Sequence, residues 1–198
     1  YQDEEFRRST VRRDLEALRA VPGVVDASAL SPFPLQGGGS STQLKPLGAD
    51  DSARVRAPVY RADDHVLATL GLELVAGRDF VPADVPDHSD AGIFNVLVTQ
   101  DLADALFPNG DALGKSLDTG SEEYPDVIVG IVRRMHTPYG GGPMESRILI
   151  YPRPRSRASF QSYLVRTEPG QLDSLLRTVE ETVLQTEDRR VVTALPLM

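Results

Sequence analysis

Tyr163-Leu164-Val165-Arg166, the turn Pro169-Gly170 and the run from Gln171 to Gln185 are the stretch from which the fold can be read. The first four residues have strand character, and the turn breaks the chain away from it. In the run that follows, Leu172, Leu175, Leu176, Val179 and Val183 recur at i, i+3, i+4, i+7 and i+11, which is one face of a helix. Residues 190–195 then read as a second strand. The unit is strand, helix, strand.

The start of the chain repeats part of that unit. Val11, Leu15 and Leu18 make a helical stripe over residues 9–20, with Arg12, Arg13, Glu16 and Arg19 outside it and Ser9 as the expected N-cap. Pro22-Gly23 ends the helix, and residues 24–30 read as a strand. A complete first copy needs one more strand ahead of residue 1. The expectation is an α+β fold: a split β-α-β pseudo-repeat with two helices on one face of a sheet layer, and the middle of the chain inserted as a second small domain. The alternative is a single α+β domain whose ends are similar by coincidence.

The middle has its own grammar. Residues 31–41, with two prolines and Gly37-Gly38-Gly39, read as a mobile loop. Residues 42–47 and 54–62 alternate polar and apolar, as a hairpin would. A short helix at 65–70, a strand at 72–76, an acidic loop at 82–92 and a buried strand at 94–98 follow. Gln100 to Leu106 reads as a helix with Leu102, Ala105 and Leu106 on one face, stopped by Phe107-Pro108-Asn109-Gly110. Residues 127–132 and 148–151 are strands either side of a glycine-rich loop, 139–143.

Composition removes several chemistries. The chain has 198 residues, 21 basic against 29 acidic, a net charge of −8, 40% apolar residues and no cysteine or tryptophan. A chain of this length buries roughly 70% of its unfolded surface, enough for a core without disulfides. The acidic balance argues against nucleic acid, and the absence of cysteine removes thiolate metal sites and thiol nucleophiles. The longest apolar run, Val127-Ile128-Val129-Gly130-Ile131-Val132, is far short of a bilayer span of roughly 20 residues. With Tyr1 first and no signal-peptide pattern, the chain is expected to be a piece of a longer protein.

Motifs of possible chemistry are weak. Asp118-Thr119-Gly120-Ser121 matches the aspartic-protease nucleophile motif, but such enzymes need two carboxylates sharing a proton, so a homodimer would be required. The following Glu122-Glu123 favours a solvated hairpin turn. Gly110-Asp111-Ala112-Leu113-Gly114-Lys115-Ser116 is one residue short of a P-loop and follows a helix, where the phosphate loop follows a strand. His65, His88 and His136 are dispersed, and Asp63, Asp64 and His65 are adjacent residues whose side chains diverge. Asp79, Asp84, Asp87 and Asp90 lack the glycine and terminal glutamate of a calcium loop. Arg153, Arg155 and Arg157 form a basic cluster that reads first as an exposed turn, and otherwise as a contact for lipid headgroups or an acidic partner. No catalytic, cofactor-binding or metal-ligating residue is therefore assigned.

An ordered set of short motifs does carry a resemblance. Leu18, Pro22-Gly23-Val24, Pro32-Phe33-Pro34-Leu35, Leu70-Gly71-Leu72, Gly77-Arg78-Asp79-Phe80, Val96-Leu97-Val98, Leu106-Phe107-Pro108, Leu113-Gly114-Lys115 and Val129-Gly130-Ile131-Val132 follow one another as in the periplasmic core domain of MacB-like ABC transporter permeases, a group that includes FtsX-type permeases. The resemblance implies a discontinuous porter-like subdomain, here residues 1–58 plus 147–198, around an inserted mixed α/β subdomain, residues 59–146. It implies a non-catalytic periplasmic domain between two membrane helices of an inner-membrane permease, without a cofactor. Its partners would be a cytoplasmic ABC ATPase, a second permease and a periplasmic adaptor or a protein or lipid cargo. A free-standing extracytoplasmic ligand-binding module is the alternative, and a dimer using Asp118 a remote one.

Overall fold

The computed structural model describes residues 4–31, 39–86, 92–120, 122–135, 146–152 and 161–197. Helix α1 covers Glu4–Arg19 and leads to strand β1, Val24–Ser31. Strands β2 (Ser40–Pro46) and β3 (Val55–Ala62) form the expected antiparallel hairpin, with Ser40 opposite Val59 and Leu44 opposite Val55. Helix α2 (Val66–Leu70), β4 (Leu74–Gly77), β5 (Asn95–Thr99), α3 (Gln100–Leu106), β6 (Ser116–Asp118), β7 (Asp126–Val132), β8 (Leu149–Tyr151), β9 (Tyr163–Thr167) and α4 (Leu172–Thr186) complete the order. The fold is mixed α and β, with four α-helices and a mixed sheet among the described residues.

The hydrogen-bonded path β2-β6-β7-β5-β8-β3 returns to β2, so these six strands close into a small barrel. Closure comes from a short ladder, Lys45 opposite Asp118 and Pro46 opposite Leu117. All six strands send side chains into one buried cluster: Leu44, Leu117, Ile128, Val96 and Val98, Leu149, Ala57 and Val59. Contribution from every strand identifies this as the barrel interior, and Leu102, Ala103 and Leu106 of α3 pack into it. The alternate residues Tyr60, Ala62, Leu97 and Ile150 belong to a second cluster outside the barrel, covered by Val66 and Leu67 of α2, Leu30 of β1, and Phe80.

β1 pairs antiparallel with β9 over Val24 to Ala29, and among the described residues meets β3 through Leu30–Ala62 and Ser31–Arg61. α1 and α4 lie on this layer, burying Val11, Leu15, Leu18 and Val183 against Ala27 and Ala29. Two helices thus share one face of the β1–β9 layer.

Three local expectations are corrected. Ser9 is not a cap: α1 begins more than a turn earlier, and the Ser9 and Thr10 hydroxyls each donate to the Phe6 carbonyl at 2.8 Å. Ala103, rather than Ala105, joins Leu102 and Leu106 on the buried side of α3. Residues 190–195 are not a ladder strand. Their burial alternates, with Arg190, Val192 and Ala194 half-buried and Val191, Thr193 and Leu195 exposed, yet among the described residues no strand lies alongside to hydrogen-bond them. The expected mobile loop of 31–41, for its part 32–38, and the glycine-rich loop 139–143 lie outside the described residues.

Candidate functional site

The most heavily bonded buried group is Asp14, fully buried on α1. Its carboxylate accepts two hydrogen bonds from Arg190, at 2.6 and 2.7 Å, one from the Tyr163 hydroxyl at 2.5 Å, and one from the Thr186 hydroxyl. One side chain therefore ties α1 to the start of β9, the end of α4 and the segment after it. Burial, together with the bonded and repelling Asp14 carboxylate, raises the Tyr163 phenol far above its ordinary range, so Tyr163 stays a donor. The bidentate Arg190 contact fixes direction as well as distance. A signal for this group was present in the sequence: Asp14 interrupts the apolar stripe Val11, Leu15, Leu18 on its buried side.

A second polar cluster joins the terminal layer to the barrel. Arg19 donates from Nη2 to Asp63 at 2.9 Å and twice to the Ala27 carbonyl, and lies 3.3 Å from Asp26. Ser28 donates to Asp63 at 2.6 Å, and His65 Nδ1 stands 2.9 Å from Asp26. Burial pushes the Asp63 carboxyl up, opposed by the Ser28 hydrogen bond and by Arg19. Of the adjacent trio Asp63, Asp64 and His65, the structure turns Asp63 and His65 onto different partners.

The Gly77-Arg78-Asp79-Phe80 turn is a third. Arg78 makes a bidentate pair with Asp84 at 2.5 and 3.0 Å, Asn95 donates to Asp84 at 2.6 Å, and the Val81 amide donates to it at 2.9 Å. These donors, the Arg78 hydrogen bond first, hold the Asp84 carboxyl down at about 2. Phe80 is buried in the outer cluster, so the turn is pinned at both ends. Asp79 bonds the Phe80 amide, and Asp79 and Asp84 therefore serve the turn itself. Asp87, Asp90 and His88 lie outside the described residues, as do His136 and the Arg153, Arg155 and Arg157 cluster.

Asp118 is buried at the ladder that closes the barrel. Its carboxylate accepts from Arg54 at 3.2 Å and from the Gly120 amide at 2.8 Å, and Lys45 Nζ stands 3.8 Å away. The acid is spent on closing a turn and on an ion pair. Beside it, Asp126 accepts from Tyr151 at 2.6 Å and Thr119 at 2.7 Å, and burial pushes its carboxyl up. The P-loop look-alike is likewise structural: the Gly114 amide donates to the Ile128 carbonyl at 2.8 Å, the Lys115 amide to Ala112, and Lys115 Nζ pairs with Asp111. Those amides face β7 and a turn, not an anion. Among the described residues, no group of three or more histidine or acidic side chains is placed to hold a metal ion. Two depressions of about 390 and 410 Å³ flank α3, the first lined by Asp101, Asp104 and Arg147, the second by Val75, Arg133 and Arg134.

The strongest geometry is thus mechanical: buried and half-buried ion pairs bind the two ends of the chain to each other and to a closed barrel. Among the described residues, no helix is long and apolar enough to cross a membrane. The family model for the MacB-like periplasmic core domain matches residues 2–188. No curated protein matches the sequence. The fold is similar to the periplasmic region of MacB from Actinobacillus actinomycetemcomitans, at a TM-score of 0.58 and 17% identity, covering 87% of this chain and 72% of that one. It is similar to the extracellular domain of the noncanonic ABC-type transporter YknZ from Gram-positive bacteria, at 0.56 and 16%, covering 89% and 83%. A domain of a putative permease protein from Porphyromonas gingivalis matches at 0.55 and 19%, covering 90% and 78%.

Proposed function

Because the chain belongs to the MacB-like periplasmic core domain family, we propose that it is the non-catalytic extracytoplasmic part of an ABC transporter permease, passing ATP-driven movement of membrane helices to partners or cargo outside the membrane. A domain that transmits movement needs its input points held rigidly to one body. The observation that carries this reading is Asp14, which joins the helix at the start of the chain to Arg190 near its end. Force entering at either end meets the same carboxylate before it reaches the barrel.

Within this role, residues 1–58 with 147–198 take up the motion and residues 59–146 present the outer surface. β3 runs through both parts, which supports their moving as one body. The ATPase acts from the cytoplasmic side, the permease works as a dimer in the inner membrane, and a periplasmic adaptor or a protein or lipid cargo meets the outer surface.

The test is made in the parent permease, with Asp14→Ala and Arg190→Ala. The expected result is ATP hydrolysis kept within about twofold while transport falls tenfold or more, in variants that remain folded by circular dichroism. Full transport by a folded double variant would overturn the reading.

A further inference from the structure

His65 is the residue just ahead of α2, whose Val66 and Leu67 cover the outer cluster of the barrel, and its ring reaches across to the terminal layer. Nδ1 stands 2.9 and 3.1 Å from the two carboxylate oxygens of Asp26 on β1. A carboxylate accepts and does not donate, so Nδ1 carries the hydrogen and any further proton goes to Nε2. Among the described residues Nε2 has no hydrogen-bond partner, and the side chain is 39% exposed, which leaves a route for a proton from water. Asp26 is buried, holds the Ala27 amide at 2.8 Å and lies 3.3 Å from Arg19. Asp63 accepts the His65 amide at 3.2 Å, and Asp64 and Asp79 add negative charge beside it. Three cations approach this seam. Arg19 serves Asp63 and Asp26, the Arg78 guanidinium is taken by Asp84, and the Arg166 guanidinium of β9 lies against Gly71 at the far end of α2. The surroundings of His65 are therefore short of positive charge.

We propose that His65 is a proton-operated fastener between the terminal layer and the barrel, drawn tight when its imidazole is charged and slackened when it is neutral. Histidine changes charge between about pH 5 and 8, the range in which no other ordinary side chain does. A proton on Nε2 converts the contact with Asp26 from a hydrogen bond with a neutral donor into an ion pair, roughly twice as strong. The position gives that change its effect: among the described residues β1 and β3 share two residue pairs, Leu30–Ala62 and Ser31–Arg61, so side-chain bonds across the seam carry much of the attachment. The fastening is complete on the acid side of the histidine range and is lost as pH rises through it. Burial pushes the Asp63 and Asp79 carboxyls up, so a test has to separate their titration from that of His65. The fastener is a property of this chain alone and stands whether or not the domain transmits movement.

The experiment is a double-mutant cycle of His65→Gln and Asp26→Asn, read by urea denaturation of this chain at about pH 5.5 and about pH 8. Asp63 and Asp79 are present in all four proteins, so their titration cancels from the coupling. The expected coupling is a factor of about ten or more in the folding equilibrium at the lower pH, falling to about threefold or less at the higher. Equal coupling at both pH values, or none at either, overturns the proposal. Hydrogen exchange of the unaltered chain supplies a measurement that needs no variant. Protection factors, from which the chemical effect of pH on exchange is divided out, should fall at least about threefold at Arg61 and Ala62 as pH rises across the histidine range, while those of Val96 and Val98 inside the barrel hold. An equal fall inside the barrel would place the effect elsewhere than the seam, and no fall at Arg61 and Ala62 would mean that the seam does not respond to the proton; either overturns the proposal.

Discussion

Gly77 and Gly130 face each other across the β4–β7 ladder so closely that a methyl group on either would sit 2.2 Å from a carbonyl oxygen, that of Val129 for Gly77 and that of Arg78 for Gly130. Gly77 also holds φ at +78°, where a side chain is strained. Gly77→Ala and Gly130→Ala should each destabilise the domain by about 1–3 kcal/mol, read as a lower urea midpoint. Gly48→Ala is the control: it shares the positive φ but meets nothing within 4 Å, and should cost about 1 kcal/mol.

Asp14→Ala leaves Arg190 and the Tyr163 and Thr186 hydroxyls facing an empty site, and should cost about 3–5 kcal/mol, as for a buried pair broken from one side. Arg190→Ala should cost a comparable amount, because it leaves the fully buried Asp14 carboxylate with hydroxyl donors but no countercharge. A double-mutant cycle by urea denaturation should give a coupling well above the 0.3–0.5 kcal/mol scatter typical of about independent sites. Additive losses would show that the two residues act separately.

Asp84 makes stability pH-dependent in a defined direction. Its carboxyl sits at about 2 in the folded chain against an ordinary 3.8, so the folded state binds fewer protons than the unfolded one between those values. The stability it contributes is present in full above the ordinary carboxyl range and is lost as pH falls through about 2. Asp84→Asn should flatten the urea midpoint over this acid window. Asp126, pushed up by burial, acts with the opposite sign: its contribution weakens as pH rises above the ordinary range.

Much of this framework was legible in the sequence, because it is local. Gln100–Leu106 was readable to the residue, since a helix of this length between a buried strand and Phe-Pro-Asn-Gly has few other ways to lie. The hairpin of β2 and β3 was readable from alternation. Barrel closure was not, because it depends on Lys45 meeting Asp118, a pairing of distant segments that leaves no periodic trace. Ser9 misled because serine inside a helix can bond backward to a carbonyl, and the sequence does not say which way it bonds. The segment 190–195 has a strand's pattern, but alternation reports which face is buried and not whether a neighbour stands at the edge.

Asp118 should prove to be a stabilising residue. Asp118→Ala removes the partner of Arg54 and of the Gly120 amide beside the closing ladder, and should cost about 1–3 kcal/mol by urea denaturation. A peptide-library assay should give no cleavage with the wild type or with Asp118→Asn. Pepstatin-sensitive turnover abolished by Asp118→Asn would instead make this acid a nucleophile's base.

Among the described residues the β1–β3 junction has two residue pairs, Leu30–Ala62 and Ser31–Arg61, whereas each strand of the barrel is secured on both edges. A ring has no end from which to unzip, so under tension the barrel resists as a whole while the junction carries load on two rungs, the Arg19 and Ser28 bonds to Asp63, and the packing of Leu30 and Leu164 against the barrel's outer cluster. The domain is therefore built like a hard bead on a short tether, and overload would shear the tether before it deformed the bead.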